Sequence, residues 1–355
     1  MTLALASRPQ ATNALLIELD PRAGALASAV SANNVVVVGG LDGGGGFYWA
    51  PTQGVIFNGG EGANDVSGDG RTIVGIAKDR GEIRQAGIWI ARTEWQLLGS
   101  FSPTAAPCDN SLSAAYGVSR DGHVIVGHAY DGCALSHAFR WTASAGMVDL
   151  GSSVQGKGSL ASGVSGDGNV IVGYQEGADG PRRGARWIGG RQELIPGADG
   201  YVGQAWGTNV DGSIVVGRQC RPSLSSIDQS AWMWTAQGGT TCLPAPKRIT
   251  VPGPGAGPVV GVEAKATSDD GRIIGGGQDI GGSADSNAII WIGGRPAYLK
   301  DLLQVNGVPS AFATWVNTGE ITGMTPDGHI LVGWGAAALG FRGYIVVLGS
   351  NLAIP

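Results

Sequence analysis

His128 and Tyr174 are the residues of this chain whose types and spacing could do chemistry. Each stands one residue beyond a glycine, Gly127 or Gly173, that closes an apolar run in consecutive copies of one repeat. An imidazole that titrates near neutrality beside a phenol could share proton abstraction and donation, as eliminations on uronic acids require. Arg218, one copy further on, could steady a carboxylate. No motif of catalytic strength backs the trio. A nucleophile elbow is absent, and the Gly-x-Gly stretches lie at strand ends and loops, not where a strand feeds a phosphate-binding helix.

What must position these residues is a turn repeated seven times. A Ser-x-Asp-Gly-like tetrad followed by an apolar run stands at Asn33, Asp69, Asp121, Asp167, Asp211, Asp270 and Asp327, and six residues beyond each comes a glycine, from Gly39 to Gly333. The spacings of 36, 52, 46, 44, 59 and 57 residues suit propeller blades, which repeat at about 40 to 50. In the copy ASGVSGDGNVIVG, Ala161 to Gly173, a strand meets an Asp-Gly turn, expected to take positive φ at both central residues, and returns as a Val/Ile-rich strand. A third strand follows with a tryptophan (Trp49, Trp89, Trp141, Trp187, Trp234 or Trp291, with Tyr344 in the seventh copy), and a fourth apolar piece closes the unit.

The expected fold is therefore all-β: a seven-bladed β-propeller with four-stranded blades, spanning 1–355 as a single domain. Blade repeats fall around 27–60, 63–99, 115–151, 161–197, 205–243, 264–303 and 321–348. The last lacks a fourth strand, and Ala14 to Leu19 has the character to supply it, closing the ring and protecting the sheet edges. The recurring tryptophans are read as packing between blades.

Composition narrows the partners. The 63 glycines suit many chain reversals, and a net charge of -5 without a Lys/Arg cluster argues against nucleic acid. No apolar run reaches the ~18 to 20 residues that span a bilayer. One Asp per tight hairpin lacks the oxygens calcium needs, and no C-x-x-C spacing suggests zinc, so no metal or cofactor is expected.

In this topology the Asp-Gly turns share one face, and the longer connections, 218–229, 244–262 and 301–319, emerge on the other. Long loops on a rigid scaffold are where function concentrates. Two sets of positions vary there. Five residues before the turn stand Ser28, Asn64, Tyr116, Ser162, Trp206, Lys265 and Thr322, and just past the glycines stand Gly40, Ile76, His128, Tyr174, Arg218, Gly277 and Trp334. Of these, Asn64, Tyr116, Trp206, Lys265 and Trp334 are the candidate ligand-binding residues, a mixture of flat rings and directional donors suited to a sugar-like or aromatic ligand. Packing between blades is the competing reading for the aromatics, and simple solvation for Arg218 and Lys265. The four cysteines fall toward the same face, favouring pairs Cys108–Cys133 and Cys220–Cys242 and an oxidising compartment. Four reduced thiols stay open as the alternative.

Ala115 to Gly127 (AYGVSRDGHVIVG) followed by His137 to Trp141 (HAFRW) resembles the bacterial extracellular HAF repeats, and the resemblance runs through all seven copies. Other copies replace the literal His-Ala-Phe, so the histidine is not a requirement of the fold. The resemblance implies a propeller-like, secreted or periplasmic protein and brings no catalytic residues. Two functions follow: a binding or interaction module that holds a glycan, peptide, small molecule or surface partner on the long-loop face, or a carbohydrate-active lyase or hydrolase working through His128, Tyr174 and Arg218 at the channel mouth. Oligomeric state is not legible.

Overall fold

The computed structural model describes residues 14–19, 24–33, 35–90, 94–101, 110–131, 135–197, 200–221, 230–246, 261–279, 286–338 and 340–355. Seven four-stranded antiparallel blades account for nearly all of it. Blade three shows the plan: Ser113–Val118 innermost, then Ile125–Asp131, Leu135–Thr142 and Gly146–Asp149. Blade seven takes its outer strand from the other end of the chain, because Leu15–Glu18 pairs antiparallel with Gly340–Val347. Blades six and seven are joined into one sheet by a single bridge, Gly277 to Glu320.

The core consists of seven apolar clusters, one in each gap between neighbouring blades. The seventh places Ala27 and Phe47 of blade one against Val332 and Ile345 of blade seven. Strand alternation explains why the second strands read as unbroken β-branched runs. Ile73 packs toward blade one and the next residue, Val74, toward blade three, so neither face meets water. The strand tryptophans divide between these gaps: Trp89, Trp187, Trp234 and Trp291 are buried, and Trp49 and Trp141 partly so. Tyr344 does not share their register. It lies opposite Gly333, as Phe139 lies opposite Gly127, while Val346 holds the tryptophan's place opposite Leu331.

The repeated turn works differently from the sequence expectation. Only the glycine takes positive φ (for example Gly122 at 79°) and no turn aspartate does. The Ser two residues earlier is a working part. In all seven blades its oxygen, or that of Thr325 or Asn209, accepts the N–H five residues on, as Val124 donates to Ser119. The aspartate accepts the N–H two residues beyond itself, as His123 donates to Asp121. Each tetrad thus satisfies its own backbone locally, which is why it recurs.

A second device recurs on the inner strand. A β-bulge falls in every blade at the position five residues before the turn, between Ala115 and Gly117 in blade three. The bulge pushes the strand toward its neighbour at the invariant glycine. A methyl group on Gly127 would overlap the carbonyl oxygen of Ala114, and the same overlap recurs at the other six glycines. Bulge and glycine are two halves of one feature.

Two departures lie in the connections. The 301–319 segment, expected as a loop, begins inside a helix, Leu299–Val305, whose Leu299, Leu302 and Leu303 are buried. A short hairpin, Pro196–Gly197 with Gly200–Tyr201, follows blade four. Most of 218–229 and of 244–262 lies outside the described residues.

Candidate functional site

Some of the bulged residues and of those just beyond the glycines meet one another, Tyr116 with His128 and Trp206 with Arg218 and Lys265, but not in the expected grouping. At the turn face the channel narrows to a cavity of about 140 Å³ ringed by all seven blades. Across it, Arg120 of blade three pairs with Asp269 of blade six at 3.2 Å, and Asp269 also accepts from the Val210 N–H at 3.1 Å.

The lyase trio is not drawn together by hydrogen bonds. His128 stacks on Tyr116 (ring centroids 5.6 Å) and meets Tyr130 edge-on at 5.3 Å. Desolvation holds its imidazole down at about 4, and its Nδ1 finds no partner among the described residues. Burial, with the neighbouring phenols of Tyr174 and Tyr130, pushes Tyr116 up to about 12. Tyr174, itself buried, carries the Arg182 guanidinium 4.2 Å above its ring. Arg218 binds Glu263 at 3.1 Å and so meets a carboxylate from this chain.

Of the expected binding residues, Asn64 turns to structure, donating to the Ala115 carbonyl of the next blade at 2.7 Å. Thr322 does the same to Ala27 across the blade seven to blade one gap. The other four touch residues of the same two sets: Tyr116 meets His128, Trp206 meets Lys265 and Arg218, and Trp334 shares a cavity with Lys265. Lys265 Nζ lies 3.9 Å over the Trp206 ring, with Arg218 5.6 Å from it. Lys265 also lies 3.0 Å from Glu263 and 3.4 Å from Glu320, so it is paired, not solvated. Trp334 stands edge-on to Phe341 at 5.4 Å and lines one cavity with Glu320.

Glu263 and Glu320 were not singled out from the sequence. They occupy equivalent positions, seven before the turn, and a signal existed: Glu263 and Lys265 are two apart on one strand and face the same side. Glu320 comes close through the Gly277 bridge, where an added methyl would stand 2.7 Å from the Glu320 Cβ. Their environments pull them apart. Burial opposes ionisation of both, but Lys265 and Arg218 hold Glu263 below the usual carboxylate range, whereas burial and the Glu263 charge keep Glu320 raised. With Lys265, Gly277, Gln278, Ser286 and Trp334 these two glutamates line a cavity of about 220 Å³.

Asp65 is a further residue not singled out. It bridges blades two and three by accepting from Val66 and Val118, both at 2.8 Å. Burial pushes its carboxyl up to about 7, against those two donors. A folded value above the unfolded one means this group's contribution is complete below about pH 4 and lost as pH rises through 7. Urea denaturation from pH 4 to 8 should therefore show a falling component that Asp65→Asn removes, and an unchanged slope in that variant would disprove the assignment.

Cys220 and Cys242 form a disulfide, as expected from their shared face. Cys108 and Cys133 lie outside the described residues. The bridge ties the strand end bearing Arg218 to the blade's outer strand, and the Trp232 indole donates to the Arg218 carbonyl at 2.7 Å. Replacing both Cys220 and Cys242 with alanine should cost about 3 kcal/mol, from the 22-residue separation. The midpoint shift on urea unfolding measures it, and no shift would show that the bridge leaves the unfolded state unconstrained.

No family model and no curated protein matches the chain. Solved structures do, and they are propellers. A GH74 xyloglucanase from Xanthomonas campestris is similar at 14% identity and TM-score 0.58, covering 96% of this chain and 55% of its own. The propeller domain of the Trilobed protease from Pyrococcus furiosus gives 12%, 0.53, 94% and 95%. An oligogalacturonate lyase in complex with manganese gives 12%, 0.53, 96% and 97%. At these identities the likeness establishes the fold, a β-propeller, and nothing about the chemistry.

Proposed function

We propose that this protein is an extracytoplasmic binding propeller that holds a glycan or peptide at the long-loop mouth of its channel. The observation that carries this reading is the cavity between blades six and seven, where Gln278 is 2% exposed and its Nε2 has no partner among the described residues. An unmet buried donor costs stability unless something binds it. The disulfide and the resemblance to HAF repeats support the compartment, and among the described residues no helix is long and apolar enough to cross a membrane.

Immobilised protein probed with glycan and peptide arrays tests the reading. Binding should fall at least about tenfold in Trp334→Ala and persist in Arg71→Ala on the turn face. Loss in Arg71→Ala alone would move the site to the wrong face and refute it.

One observation favours a second reading, a carbohydrate-cleaving enzyme at the same mouth. Glu320 and Glu263, with ionisation pushed in opposite directions beside a cavity, have the division that acid and base roles use. Release of reducing ends or unsaturated uronates from oligosaccharides, abolished by Glu320→Gln, would establish it.

A further inference from the structure

We infer that the cavity between blades six and seven holds one uncharged, hydroxyl-bearing sugar ring. The inference rests on the binding reading above and narrows it to a ligand class.

Charge is the first argument. The ionisable groups at the cavity and its margin are Glu263, Glu320, Lys265 and Arg218, two of each sign, and all four are engaged: Arg218 with Glu263, and Lys265 with both glutamates. An ionised ligand entering this set would have to break an existing pair or remain uncompensated in a site shielded from water, either of which is unfavourable. A uronate carboxylate would meet two glutamates, and the one cation lining the cavity, Lys265, already lies within 3.4 Å of both. A peptide terminus brings the same difficulty.

Hydrogen-bonding capacity is the second. Gln278 accepts from the Tyr298 hydroxyl at 3.2 Å through Oε1, and its buried Nε2 has no hydrogen-bond partner among the described residues. The glutamate oxygens retain lone pairs, since an ionised carboxylate has about four acceptor sites. Ser286 adds a group that both donates and accepts. A buried amide beside carboxylate acceptors matches the hydroxyls of a sugar, each of which donates and accepts, and does not match an apolar side chain.

The third argument is shape. Trp334 is held edge-on by Phe341, so its ring is oriented before a ligand arrives, which reduces the ordering cost of binding. A volume of about 220 Å³ is below the ~300 Å³ at which drug-sized pockets begin. It suits one ring with the rest of a chain outside. Blade six has Gly277 where blades three, four, five and seven have His128, Tyr174, Arg218 and Trp334, and the missing side chain lets the Glu320 strand approach, an added methyl standing 2.7 Å from the Glu320 Cβ.

Calorimetric titration of the full chain tests this with neutral tetrasaccharides of glucose, mannose, galactose and xylose, with tetragalacturonate, and with tetra-alanine. At least one neutral tetrasaccharide should bind with a Kd below about 1 mM, and the methyl glycoside of its sugar should displace it. Gln278→Met should weaken that binding about tenfold, and Ser286→Ala provides an independent lesion should the methionine disturb folding. Binding of tetragalacturonate or tetra-alanine without a neutral sugar would overturn the ligand class and leave the binding reading standing. Neutral binding unaffected by both variants would overturn the site. No binding by any of the six probes would overturn the inference, and the array experiment then judges the broader reading separately.

Discussion

Replacing Lys265 with methionine is expected to cost about 3 to 5 kcal/mol at neutral pH, the largest effect of any single side chain at the mouth. The ammonium lies between Glu263 and Glu320, with 19%, 10% and 23% of the three side chains exposed. Burial opposes its charge, yet Glu320 and Glu263 keep its proton bound above the usual lysine range. Removing it leaves Glu263 supported by Arg218 alone and Glu320 without a cation. The loss should be pH-dependent in a defined sense. Glu320 already has a raised folded value, and the variant raises it further, so the contribution of this group is present below its unfolded value near 4.5 and lost as pH rises through the folded one. Urea denaturation should accordingly find the variant's deficit smaller at pH 4 than at pH 8. A deficit below about 1 kcal/mol, the range of exposed pairs, would show that water reaches this network freely.

Gly173→Ala is expected to lose about 3 kcal/mol, at the upper end of what overpacking costs. Its added methyl would overlap the Leu160 carbonyl oxygen, lie 2.9 Å from the carbonyl carbon and 3.0 Å from the Ala161 Cα. All three are backbone atoms of a bulged strand held between two blades, so relief requires the bulge itself to move. Gly43→Ala is the control, because nothing lies within 4 Å of its added methyl and its φ is not positive. The two variants should differ by about 2 kcal/mol or more in urea unfolding. Equal effects would mean that the recurring glycine reflects chain flexibility and not close approach.

These two expectations differ in how far the sequence anticipates them. The glycine could be found by counting, since it stands six residues past every turn, but its reason could not. A bulge is a property of strand pairing, and no residue type marks it: the bulged positions hold Ser28, Asn64, Tyr116, Ser162, Trp206, Lys265 and Thr322. Counting did identify them as the variable set. It could not tell Asn64, which bonds the neighbouring blade, from Lys265, which joins the mouth network. Likewise Tyr344 looked like a seventh strand tryptophan until its pairing with Gly333 placed it two residues away in register. The turn aspartates are structural, and the serine before them shares the work by accepting a backbone N–H in its own hairpin.

What the sequence alone determined is the local and repeated part: seven turns, strand order within a blade and the outer strand borrowed from the beginning of the chain; it favoured the Cys220–Cys242 pair, which the structure shows. These depend on residues a few positions apart, or on two edges that must be paired, and such contacts leave a periodic trace. The tertiary structure decided the site. Glu263 and Glu320 are 57 positions apart and meet at one lysine because blade seven's inner strand, ten residues long and bulged, bridges to Gly277. The electrostatic character of that cavity arises from side chains of different repeats sharing a space with little water, where each alters the ionisation of the others. No single repeat contains that information.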